Sequence, residues 1–367
     1  MIKKKGHAAA AAFLAFMLSG LFLLYPDTVS EATFRALSIC ASRVIASVFP
    51  FSVLSSLLVA SGSAESLDQT LSPLFHRLFG VKHGASALVL GLLFGFPLGA
   101  LTVGAYHKRG VLSSGEASRL LAFVCCASPT FPVFVVGHGY FGSTAIGLVI
   151  WGTQAAVSII IGIIICRRRN HICITSQLSA PSREASLPTL LTGAITDAAR
   201  VMLNVCGSVT FFSIISAVAS RAISPLSASH LPQLCISAVF EFSSGTTASY
   251  EAYTTGLISR ALAAGIAGFS IGFAGLSVMF QTSSVCPGIS LTPHLCGKVI
   301  CGVITAFVTY IVSEYPSFAP VFSSSETVDT ASRIPFFSEL AAVVFVLFMI
   351  FIFDCRKRGC KKRGNRL

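Results

Sequence analysis

The stretch GLLFGFPLGALTVGAYHKRG, residues Gly91–Gly110, starts like a helix built for lipid and then breaks. Gly95, Pro97 and Gly99 interrupt it, and His107, Lys108 and Arg109 follow. Proline donates no amide hydrogen and clashes with the preceding turn, and glycine permits a sharp reversal. Either the segment crosses a bilayer or it turns back inside one. The charges elsewhere in the chain decide between the two.

The bilayer itself follows from composition. The 367 residues are 54% hydrophobic and only 11% charged, and mean hydropathy is +0.80. Apolar runs recur at 8–25, 44–60, 84–106, 119–136, 143–166, 201–222, 255–280, 291–312 and 336–353. Several reach the roughly 20 residues a helix needs to cross hydrocarbon. The runs are continuous rather than alternating, which argues against a β-barrel. The net charge of +12 is concentrated: 15 of the 26 basic residues sit in Lys3–Lys5, Lys108–Arg109, Arg167–Arg169 and the tail after Asp354. Such clusters beside apolar runs mark cytoplasmic loops. The tail is expected to meet anionic lipid heads. No aromatic interleaving or binding fold supports a nucleic-acid partner. The N-terminal run resembles a signal peptide, but it is long and lacks a small-residue cleavage site, so it reads as an uncleaved span. The 12 cysteines include no C-x-x-C pair and the eight histidines no metal-binding spacing, so neither a metal nor a cofactor is expected.

With Lys3–Lys5 inside, 8–25 goes out, 28–43 lies as an amphipathic helix at the interface, and 44–60 returns to a polar loop, 61–83. If 84–106 crossed, His107–Arg109 and Arg167–Arg169 would both fall outside. A re-entrant hairpin turning at Phe96–Gly99 puts both inside. A second hairpin is expected at LCISAVFEFSSGTTASYEAY, Leu234–Tyr253, with its break at Glu241–Gly245. The alternative is that both breaks are kinks in spanning helices. Each hairpin precedes a long span that is itself interrupted, at Ala127–Pro129 and around Gly272–Gly275. GEASRLLAF (115–123) and GLISRALAA (256–264) suggest a repeat offset by 141 residues. The expected fold is an all-α polytopic membrane protein, with about eight spanning helices and two re-entrant hairpins in an inverted repeat. Its parts are 1–83 (N-terminal spans and loop), 84–166 (first repeat), 167–228 (linker and a span), 229–312 (second repeat) and 313–367 (external loop, last span, tail). Both termini are expected in the cytoplasm.

Broken backbone at membrane depth must be buried in protein or line a cavity. The returning arms offer helix N-termini there, which favour anions. The candidate binding residues are Phe96, Pro97 and Gly99 at the first tip and Ser128, Pro129 and Thr130 at the first break. Glu241, Ser243, Ser244 and Gly245 at the second tip and Gln281 near the second break complete the set. Glu241 is the costliest residue to bury, so it is a functional candidate by default. It could bind a coupling cation, carry a proton or accept from substrate. Its alternative is a structural carboxylate held by the tip's own backbone. No nucleophile–base spacing appears, so an enzyme is not expected.

The motifs GLLFGFPLGALTV, GEASRLLAFVCCASPTFPVFVVGHGYFG, VFEFSSG and GFAGLSVMFQ resemble those of the YlbJ family of sporulation integral membrane proteins. That family carries a nucleoside-recognition (Gate) domain and is distantly similar to concentrative nucleoside transporters. The resemblance covers roughly 44–312. It implies a role in spore formation, moving dipicolinic acid across the outer forespore membrane. The chain departs from the family pattern at Leu101, where a basic residue is usual, and at Cys125 and Cys126, where paired asparagines are usual. The expected function is transport of a small organic anion, with dipicolinate as the implied substrate and Na+ or H+ as candidate coupling ions. A nucleoside-type solute and a non-transporting sporulation scaffold are the alternatives. A homo-oligomer is left open.

Overall fold

A computed structural model describes residues 2–167, 186–226 and 229–314. The apolar run 336–353, the basic tail, Arg168, Arg169 and nearly all of 313–335 lie outside them. Every regular element among the described residues is helical. Helix α1 (Ile2–Leu24) meets α2 (Pro26–Ile39) at 99°. A π-helical turn, Cys40–Ile45, leads into α3 (Ala46–Ala60). Helix α3 meets α4 (Ser63–Phe79) at 80° across Gly62, whose φ of 76° suits glycine. The polar stretch 61–83 was expected as a loop and is mostly helix. Its buried face carries Leu67, Phe75 and Phe79, together with Glu65 and Asp68, whose carboxylates find partners in Arg109 and in the amides of Gly84 and Ser86.

Helices α5 (Ala85–Phe94) and α6 (Phe96–Lys108) form the first hairpin. Their far ends meet: Ser86 Oγ lies 3.0 Å from Tyr106 Oη. Nearer the tip, a Cβ added to Gly91 would stand 3.4 Å from Gly99 Cα. Residues 20 apart in sequence that touch side by side belong to two antiparallel arms, not to one crossing helix. A helix spanning them would separate them by ~30 Å at 1.5 Å per residue. The reversal is one residue earlier than expected. Gly95 alone makes it, with φ 105° and ψ −179°. Phe96 and Pro97 already form the first turn of α6, where proline's fixed φ is favourable.

The second hairpin joins α10 (Leu231–Phe240) to α11 (Phe242–Thr254). Its break is Glu241 alone, in extended conformation. Ser243, Ser244 and Gly245 were expected within the break and instead start α11. Glu241 accepts from Ser244 N at 2.7 Å, so it caps the helix and lets it begin at once. A Cβ at Gly245 would meet Ala238 Cα at 2.5 Å, so these arms also lie back to back.

Both long spans after the hairpins are broken. Helix α7 (Ser114–Val124) is followed by non-helical backbone and then a π-helical segment, Thr130–Tyr140. Helix α12 (Arg260–Phe273) stops at Ala274, φ 71°, and α13 (Gly275–Val285) continues. Each unit closes with an unbroken helix, α8 (Thr144–Arg167) or α14 (Thr292–Glu314). Corresponding positions are 146 residues apart: tips Gly95 and Glu241, arm glycines Gly99 and Gly245, N-caps Ser113 and Ser259. The 141-residue echo between GEASRLLAF and GLISRALAA is therefore out of register with the structural repeat. The two motifs do not occupy equivalent turns.

Four helical stretches are long and apolar enough to cross a membrane: Thr144–Arg167, Leu187–Ile223 (α9), Arg260–Val285 and Thr292–Glu314. The bent pairs α1–α2 and α3–α4 raise this to six among the described residues. Of the expected eight, 113–140 is not one continuous helix, and 336–353 lies outside the described residues.

Candidate functional site

Each hairpin tip rests on the break of its own following helix. A Cβ at Gly95 would lie 3.6 Å from Ser128 N. Gly275, at the second break, has no room for one: Glu241 Cα and Phe240 O would stand 3.0 and 3.1 Å away. Phe242 at the second tip links the two units, its ring 5.4 Å from that of Phe96 and 5.1 Å from that of Phe131.

Between these parts lies a cavity of about 320 Å³. Gly95, Phe96 and Pro97 line it from the first tip, and Ala127, Ser128 and Thr130 from the first break. Phe242 and Ser243 come from the second tip, Val278 and Gln281 from α13. Val205 and Val209 of α9 and residues of the Cys40–Ile45 turn and α3 close the side. The wall is mainly apolar and aromatic, with Ser42, Ser128, Thr130, Ser243 and Gln281 as isolated polar groups. Helix α6, the Thr130 segment and α11 all begin at this wall. The first two have no side-chain cap. Their positive ends therefore face the cavity without a resident carboxylate. Gln281 is almost fully buried, and its Nε2 has no hydrogen-bond partner.

Of the eleven sequence-derived candidates, Phe96, Pro97, Ser128, Thr130, Ser243 and Gln281 line this cavity. The other five do not. Gly99 is packed behind the tip, where an added Cβ would stand 2.5 Å from Val124 O. Gly245 is packed in the same way against Ala238 and Ser270. Pro129 begins the Thr130 segment from outside the wall. Ser244 faces a different cavity, beside α2 and α9. Glu241 is fully buried behind the tip; its Oε2 accepts from Ser243 Oγ and Ser244 N, while Oε1 has no partner.

The breaks free backbone groups that lipid cannot satisfy. Side chains absent from the sequence-derived set answer them. Lys298 of α14, buried within the fold, donates Nζ to Cys125 O and lies 5.5 Å from the centre of the Phe96 ring. His294, one turn earlier, bonds Leu121 O through Nδ1 at 2.7 Å. Gln154 of α8 spans both breaks, accepting from Ala127 N at 2.7 Å and donating to Ile271 O at 3.2 Å. The signal was available, because an ionisable or amide group inside an apolar run is costly wherever it is unused. Composition alone could not say which backbone it answers.

The chain is 24% identical over 331 residues to the sporulation integral membrane protein YlbJ of Bacillus subtilis (strain 168). The alignment covers 81% of this chain and 80% of that protein. The similarity thus runs over most of both chains. No family model matches the chain, and no solved structure matches it significantly. The protein is thus a polytopic all-α membrane protein related to a sporulation membrane protein.

Proposed function

We propose that this YlbJ relative carries a small aromatic organic anion across a membrane during sporulation, with dipicolinate as the substrate that fits best. The single supporting observation is the cavity at which two uncapped helix starts and four phenylalanines, Phe94, Phe96, Phe131 and Phe242, converge. Helix N-termini suit carboxylates, and the rings suit a planar heterocycle. The volume of about 320 Å³ is within the range of small-molecule sites. Isolated hydroxyls and the free amide of Gln281 can orient the carboxylates. A nucleoside would need more polar partners for its ribose than this wall offers, and a scaffold would need no such cavity. The reading puts Lys108 and Arg109 in the cytoplasm, the tail against anionic lipid, and the chain in the outer forespore membrane. The test is uptake of labelled dipicolinate by proteoliposomes containing the purified protein, with uridine as competitor. Saturable uptake insensitive to uridine is expected. Uridine-sensitive uptake would move the reading to nucleosides, and no uptake of either would remove transport.

A further inference from the structure

A second cavity, of about 230 Å³, lies on the other side of the α11 start. It is unlike the first. Thr28, Ser213, Ser216, Ser237, Ser244 and Thr247 give it hydroxyls from four helices. Glu31 and Arg35 of α2 and Glu251 of α11 stand at it as well. Arg35 joins Glu251 at 3.1 Å across 216 residues of sequence, and both side chains are about half exposed. So the cavity has a charged, exposed end. At its inner end Ser213 Oγ lies 3.0 Å from Ser244 Oγ. Ser244 in turn holds Glu241 through its backbone amide, and its hydroxyl acts on the same carboxyl group.

Glu241 is the buried end of this hydroxyl path. Oε2 is engaged, and Oε1 is buried without a partner. Among the described residues, the groups acting on it include no compensating cation. The first turn of α11 presents serine hydroxyls and amides, the α12–α13 break presents the backbone of Gly275, and the start of the π-helical turn presents the Cys40 thiol. Cys206 of α9 packs against Cys40. Lys298 of α14 is committed to Cys125 O on the far side of Phe96. A bare carboxylate here is costly and would repel an anion in the neighbouring cavity.

We propose that the second cavity is the entry path of a coupling proton, which the Glu241 carboxylate takes up on Oε2, the oxygen that Ser244 reaches. Water in the cavity gives up a proton to Ser213, Ser213 passes one to Ser244, Ser244 gives its own to Oε2, and the hydroxide left behind is neutralised by the outer bath. The Ser213–Ser244 hydroxyl pair relays the proton, and the Arg35–Glu251 pair stands at the mouth. The neutral acid removes the repulsion, so proton and anion load together. This rests on the transport reading for its coupling, but not for the proton path itself.

Two measurements separate those parts. The first uses no substrate: a pH jump on the full chain in lipid, followed by infrared difference spectroscopy. A carboxylic-acid band absent from Glu241→Gln is expected, and Ser213→Val should slow its appearance by about tenfold or more. A band missing from the wild type, or one that rises equally fast in Ser213→Val, would overturn the path. The second compares dipicolinate counterflow with accumulation driven by an imposed pH gradient. Ser213→Val should keep counterflow and lose about tenfold in gradient-driven rate. Counterflow with no response to the pH gradient, or accumulation driven by sodium instead, would overturn proton coupling while sparing the transport reading. No counterflow would remove the transport reading and leave the infrared result to judge the path.

Discussion

Lys298 on α14 donates its ammonium group to the backbone carbonyl of Cys125, 173 residues earlier in the chain. That carbonyl belongs to the residue just past the end of α7, where the helix can no longer supply partners. The second unit thus holds open the break of the first with a buried cation. The same cation lies over Phe96, which also lines the cavity.

Lys298→Met tests whether the charge matters beyond the bond. It leaves Cys125 O unpaired, at a cost of about 1–3 kcal/mol. It also removes a buried ammonium that costs about 2.5–3.5 kcal/mol on insertion scales. Yield and thermal stability in detergent should stay near wild type, while dipicolinate uptake falls by about tenfold or more. Unchanged uptake at equal protein level would make Lys298 purely structural.

Gln154→Leu should act differently. The amide joins Ala127 N to Ile271 O, and leucine satisfies neither. Two buried backbone groups are orphaned, each costing about 1–3 kcal/mol. A lowered melting temperature together with lost uptake is expected, and Gln154→Asn should not rescue, because its side chain is one methylene short. Differential scanning fluorimetry on the purified variants reads this directly.

The hairpin arms should tolerate no added methyl. An alanine Cβ at Gly91 would stand 1.8 Å from Val124 O, and at Gly20 would meet nothing within 4 Å. Gly91→Ala should destabilise by about 1–3 kcal/mol or more, as overpacking does, and Gly20→Ala should be silent. Equal thermal stability of the two would contradict the close contact of the first hairpin with α7.

Topology gives a test independent of substrate. Gly115 is exposed at the start of α7, and nothing lies within 4 Å of a Cβ there. In a cysteine-free background, Gly115→Cys should react with a membrane-impermeant maleimide only after the cytoplasmic face is opened. Labelling of intact cells would sink the assignment of the first hairpin's open end to the cytoplasm.

The sequence by itself determined the membrane class, the two interrupted hairpins and the two broken spans. Those features are local: apolar length, a Gly-Phe-Pro-Leu-Gly break and the position of basic clusters are written within a few residues of one another. It also pointed to Phe96, Ser128, Ser243 and Gln281, because helix starts at breaks are local too. Only the tertiary structure decided which groups face a common space. Gly99 and Gly245 are small so that backbone can approach backbone, not so that substrate can, and that depends on Val124 and Ser270 far along the chain. The polar stretch 61–83 became helix because a buried face outweighs polar composition. Lys298, His294 and Gln154 acquired their roles from carbonyls and amides on other helices. An unpaired backbone group can be recognised in sequence, but its partner is fixed by packing between segments 27 to 173 residues apart, and periodicity carries no record of that.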